Sequence, residues 1–78
     1  MKYTQYFLVT RQRPDRVSIL EAWIERAVQC PDHEYLQSDG RIRRWIQVKE
    51  MEGKWLRVVL LSDGETVHNA FFDRRFKP

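Results

Sequence analysis

His68 lies in the run Thr66-Val67-His68-Asn69-Ala70. Imidazole is the side chain whose ordinary pKa lets it move a proton near neutral pH. Arg57 and Arg44 stand in the two β-rich runs before it. If these runs pair as antiparallel strands through two-residue turns, Arg57 and Arg44 lie a strand step from His68 in opposite directions. Diagonal neighbours on a sheet are roughly 7–8 Å apart, within reach of long side chains. A histidine between two guanidinium groups suits phosphodiester chemistry. The imidazole transfers the proton, and the arginines hold the phosphate and stabilise charge on its oxygens. His68, Arg57 and Arg44 are thus the candidate catalytic set. The competing reading is structural: a lone strand histidine completes a hydrogen bond or packs on an aromatic ring, and Arg57 pairs with Asp73 or Glu50.

The remaining cations cluster. Arg41 and Arg43 adjoin Arg44; Arg74, Arg75 and Lys77 form a second group; Arg11, Arg13 and Arg16 form a third. Lysine and arginine number 14 against 11 acidic residues, a formal charge of +3. Clusters of this kind meet phosphate, and Arg41, Arg43, Arg74, Arg75 and Lys77 are the candidate RNA contacts. A charge-protected strand edge would account for the Arg41–Arg44 run equally well.

Much else is excluded. The chain has no Gly-rich phosphate loop and no serine elbow. Its single cysteine, Cys30, allows no internal disulfide. His33 and His68 have no second ligand at metal spacing. No metal and no cofactor are expected, so the nucleophile in any cleavage is the RNA's own 2′-hydroxyl. Met1-Lys2-Tyr3-Thr4-Gln5 does not begin a secretory leader. No stretch approaches a membrane span, and a lone cysteine suits a reducing compartment. These features point to a cytoplasmic protein with no membrane partner.

The elements that must position these groups fit one domain of 78 residues. Ile19, Leu20, Trp23, Ile24, Ala27 and Val28 recur at helical spacing, which predicts a helix over Ser18–Gln29. Ser18 and Glu21 read as its capping box, and Pro31 as its stop. The run Tyr3–Thr10 fits a short helix. After Pro31 the period changes to that of strands: His33–Gln37, Arg41–Met51, Lys54–Leu61 and Thr66–Phe72. Asp39-Gly40, Glu52-Gly53 and Asp63-Gly64 separate them as two-residue turns. Those turns set Tyr35 opposite Arg44, Ile46 opposite Val59 and Val59 opposite His68. The expected fold is α+β, with N-terminal helices packed on a four-stranded antiparallel β-meander.

The order of these elements carries a resemblance. Arg11, Arg13 and Arg16 precede a helix ending Ala27-Val28-Gln29-Cys30-Pro31. Then follow Asp39-Gly40-Arg41-Ile42-Arg43, Leu56-Arg57-Val58-Val59 and a closing strand. From Tyr3 to Phe72 this is similar to the small bacterial domains grouped with BrnT-type and RelE-type toxins. The resemblance implies a helix–sheet fold, a small antitoxin-like partner and, in several relatives, messenger RNA cleavage. It carries over basic character at Arg57 and in Arg41–Arg44. Relatives often have a histidine where this chain has Tyr6.

The first reading is therefore a toxin-like, metal-independent ribonuclease of a toxin–antitoxin pair, acting on RNA or at the ribosome. The alternatives are a non-catalytic interaction module of the same fold, engaging a partner through a sheet edge or through Trp45 and Trp55, and a simple RNA-binding domain. Growth arrest on expression separates the first from the others. Salt-dependent RNA binding without cleavage selects the third.

Overall fold

The computed structural model describes all residues from Met1 to Pro78. The chain runs β1 (Lys2–Tyr3), α1 (Gln5–Thr10), α2 (Glu21–Gln29), β2 (His33–Leu36), β3 (Ile42–Val48), β4 (Lys54–Leu60) and β5 (Thr66–Phe72), with one 3₁₀ turn at Lys49–Met51. The fold is α+β: two helices and a five-stranded mixed sheet in the order β1-β5-β4-β3-β2. β2 to β5 form the expected antiparallel meander. The four-stranded, purely antiparallel expectation is corrected by β1, which pairs in parallel with β5 through Lys2↔Thr66 and Tyr3↔Val67. The amide of Thr4 continues the contact by donating to the Val67 carbonyl at 3.0 Å. Thr4 then caps α1, its hydroxyl oxygen accepting from the Phe7 amide at 3.1 Å. The short helix read over Tyr3–Thr10 is thus a strand at its start and a helix after Thr4.

The register differs from the two-residue-turn expectation because each connection is longer. At the first, the Gly40 amide donates to the Gln37 carbonyl and the Gln37 amide to the Arg41 carbonyl. Gly40 alone takes positive φ, 91°. This is a three-residue loop with a glycine bulge. At the second, Glu52 and Gly53 both take positive φ, 60° and 76°, but the 3₁₀ turn before them ends β3 at Val48 rather than Met51. At the third, Asp63 accepts from the amides of Glu65 and Thr66, both at 2.9 Å, and only Gly64 is left-handed. Tyr35 therefore faces Arg43, Ile46 faces Leu56, and Val59 faces Asn69. Each partner is displaced by an odd number of residues. Side chains alternate along a strand, so an odd shift exchanges the two faces. A bulge adds to this: Val59 pairs with Asn69 and Leu60 with Val67, leaving His68 as the extra residue.

One face of the sheet is the core. Ile46, Val48, Leu56, Val58, Leu60, Val67 and Ala70 pack there against Phe7 of α1 and Trp23, Ile24 and Ala27 of α2. The helical stripe buries Trp23, Ile24 and Ala27 as its spacing predicts. The helix itself begins later, at Glu21, with Leu20 as N-cap and no side-chain cap. The Ser18–Glu21 capping box does not form, because Glu21 is the first helical residue rather than the third; its carboxylate accepts from the Tyr3 hydroxyl. No helix is long and apolar enough to cross a membrane.

Candidate functional site

The structure separates the three residues proposed as a catalytic set. Arg44 stands an even number of residues from Ile42, Ile46 and Val48 and so lies with them on the helix side of the sheet. Its Nη1 donates to the Val28 carbonyl at 2.6 Å and its Nε to Glu34 Oε2 at 2.7 Å. Val28 is in the last turn of α2, where carbonyls lack helical partners, so Arg44 closes the end of that helix. Arg57 lies on the opposite face, between Trp45 on β3 and Phe71 on β5. His68 sits at the bulge beside α1. Its Nδ1 is 3.1 Å from Thr4 Oγ1, and its ring stacks on Tyr6 at 4.9 Å. Burial, and then the nearby charge of Arg41, push the His68 pKa below its ordinary value, which favours neutral imidazole at pH 7. The arrangement of His68 between Arg57 and Arg44 is thereby corrected; the face exchange described above is the reason.

The face that no helix covers has its own order. Pairing aligns His33, Trp45, Arg57 and Phe71 in one row across β2 to β5. The next row is Tyr35, Arg43, Val59 and Asn69. Aromatic rings and cations alternate. The Arg57 guanidinium lies 4.8 Å from the Phe71 ring centre and 5.9 Å from that of Trp45. Arg43 lies 5.5 Å over Tyr35, and Arg16, from the turn-rich segment after α1, lies 5.3 Å over Phe71. Arg16 also donates to Asn69 Oδ1 at 2.7 Å. Its Nε is buried without a hydrogen-bond partner, since Asp15 at 3.8 Å is an ion pair only.

The segment after β5 folds back over this face. The Asp73 amide donates to the Trp55 carbonyl at 2.8 Å. Asp73 Oδ2 accepts from Trp45 Nε1 and Arg57 Nε, both at 3.1 Å, and Arg57 Nη2 stands 3.1 Å away. Desolvation acts to raise the Asp73 pKa, but the hydrogen bonds from Trp45 and the Arg75 amide and the charge of Arg57 outweigh it and hold the carboxyl below its ordinary value. Arg57 is drawn below its usual value by burial, with Asp73 opposing and Arg43 adding. Phe76 stacks on Trp45 at 4.4 Å and 16°.

Around these groups lies a groove of about 620 Å³. It gathers Arg43, Arg57, Arg75 and Lys77 with Tyr35 and Trp45, and Glu34 and Asp73 also line it. Of the sequence-derived RNA contacts, Arg43, Arg75 and Lys77 are therefore brought together. Arg74 lines a neighbouring hollow with Arg16 and Phe71. Arg41 stands apart, beside Asp39 at 4.0 Å. Sequence reasoning read Trp45 and Trp55 chiefly as partner contacts, considered His33 only as a metal ligand, and gave Phe71 and Phe76 no role in the site. The signal that locates them is alternation, His33-x-Tyr35, Arg43-x-Trp45, Trp55-x-Arg57, read in the correct register. No family model, curated protein or solved structure matches this chain.

Proposed function

We propose that this domain binds single-stranded RNA across the open face of its sheet, as the RNA-engaging member of a toxin–antitoxin-type pair. The observation that carries the reading is the in-register row His33–Trp45–Arg57–Phe71, with Arg43 beside it. Unpaired bases stack on aromatic rings while cations follow the phosphates. Both requirements meet in one groove, and the charge of +3 favours a polyanion. The pairing with an antitoxin draws on the resemblance to BrnT-type and RelE-type toxins. It is compatible with the exposed outer strand β2, where Tyr35 and Leu36 are 56% and 66% exposed.

Fluorescence anisotropy with a labelled ten-nucleotide uridylate, measured across salt concentrations, tests the binding. Affinity should fall as salt rises, with log K changing by about 0.7 per phosphate contact for each unit of log salt. Arg43→Ala should lower both affinity and slope. Folded protein with no salt-dependent binding would remove the reading. RNA cleavage is a second reading, favoured by one observation: Thr4 and Tyr6 hold the His68 ring by its Nδ1 side and one face, leaving Nε2 for proton transfer. A chelator-resistant activity that yields 2′,3′-cyclic phosphate ends, spares DNA and is lost in folded His68→Ala would establish it. RNA intact after incubation would leave binding alone.

A further inference from the structure

We infer that Phe76 occupies a nucleobase cage, and that one unstacked base of a bound RNA replaces its ring while the strand's phosphate replaces the Asp73 carboxylate on Arg57. The inference rests on the RNA-binding reading above and names the subsite.

Trp45 is only 6% exposed although it projects from the sheet face that no helix covers. Phe76 is the ring stacked on it. Two further rings stand as walls around Phe76: Trp55 at 5.1 Å and 64°, and His33 at 5.3 Å and 59°. One parallel platform and two steep walls are what a flat heterocycle requires. The parallel ring supplies stacking, and His33 presents ring nitrogens that can hydrogen-bond a base edge, which a phenyl ring leaves unused.

The hold on Phe76 is apolar. No hydrogen bond from Phe76, Lys77 or Pro78 ties the segment to the sheet. The last polar anchors are those of Asp73, including the Arg75 amide that donates to Asp73 Oδ1 at 3.1 Å. An aromatic ring in the cage and a carboxylate on Arg57, three residues apart in the chain, together imitate a base and its phosphate.

The test compares full-length wild type, Phe76→Ala and Phe76→Trp by anisotropy with the ten-nucleotide uridylate, with circular dichroism on each. Phe76→Ala empties the cage and should bind roughly tenfold more tightly, the scale of one aromatic contact. Phe76→Trp fills it and should bind more weakly than wild type. In wild type, saturating uridylate should move the Phe76 ring proton resonances towards those of a solvent-exposed phenylalanine. If folded Phe76→Ala binds no more tightly than wild type, the cage is overturned and the RNA-binding reading stands. If neither protein binds, that reading falls and the cage with it. If Phe76→Ala does not fold, the wild-type spectrum decides: Phe76 resonances unmoved by saturating RNA overturn the proposal.

Discussion

Asp73→Asn separates the stabilising role of Asp73 from its occupation of Arg57. The carboxylate accepts from Trp45 Nε1 and from Arg57, and takes the Arg75 amide on its other oxygen. The amide keeps one oxygen, so part of this set survives without the carboxylate's charge. A hydrogen bond to a charged group contributes roughly 1.5–3 kcal/mol against about 0.5–1.5 for a neutral one. The pair is partly open, with the Arg57 side chain 20% and the Asp73 side chain 8% exposed. Solvent screening therefore keeps the cost below the 3–5 kcal/mol range of a fully buried broken pair. A loss of about 2 kcal/mol follows, or a fall in Tm of roughly 8–16 °C for a domain of this size. RNA affinity should move the other way. Arg57 then meets the phosphate without first releasing a carboxylate, and no displaced carboxylate takes back a cation, so the plot of log K against log salt steepens by up to about 0.7. Glu65→Gln makes the same charge change at the Lys2 pair, outside the groove, and should leave the slope unaltered. The assays are thermal unfolding and anisotropy titrations over a range of salt. A folded Asp73→Asn protein with the wild-type slope would refute Arg57 as a phosphate contact. A steepening shared with Glu65→Gln would reduce the effect to net charge.

Three further outcomes are expected. Trp23→Ala, which removes the largest ring on the buried stripe of α2, should cost about 3–5 kcal/mol in urea unfolding; a loss below about 1 kcal/mol, the scale of surface changes, would mean that the stripe is not the core. The Asp63 carboxyl is held at about 2, below its ordinary 3.8, chiefly by the Thr66 hydroxyl and then by the amides of Thr66 and Glu65. A depressed carboxylate stabilises above its unfolded pKa and loses that contribution as pH falls through the folded one. Asp63→Asn should therefore flatten the loss of stability between about pH 4 and pH 2, as read from urea midpoints; an unaltered acid limb would contradict the turn geometry. His68 should titrate below 6.5 in proton NMR, because burial and Arg41 oppose its charge. The unfolded chain then takes the proton first, so stability falls as pH drops below 6.5 towards the folded pKa, and titration at or above 6.5 would place the ring in a different setting.

What could be read beforehand depended on how local its cause was. The α2 stripe and the stop at Pro31 follow from spacing and from proline's backbone, and both are found. The glycines at 40, 53 and 64 do mark the turns. The length of each turn was not legible, because an Asp-Gly pair serves a two-residue hairpin and a longer loop alike. Asp39 and Asp63 keep negative φ and satisfy amides with their carboxylates; that choice depends on the strands they join. The resulting odd shifts moved Arg57 away from Arg44 and towards Trp45. They also explain why the basic clusters were legible as clusters while their arrangement was not. β1 carries two residues and no pattern of its own. Its pairing with β5 is a property of the finished sheet.

That pairing sets a condition on synthesis. Lys2 and Tyr3 leave the ribosome more than sixty residues ahead of Thr66 and Val67, their strand neighbours. Thr4, which caps α1, also touches Val67 and His68. The nascent N-terminal half thus carries Phe7 and Trp23 with no sheet to cover them. Closing so long a loop is slow compared with local helix formation. Translation must deliver β5 before the core can close, so a pause ahead of Thr66 would prolong the time in which these rings are open to chaperones or to other nascent chains.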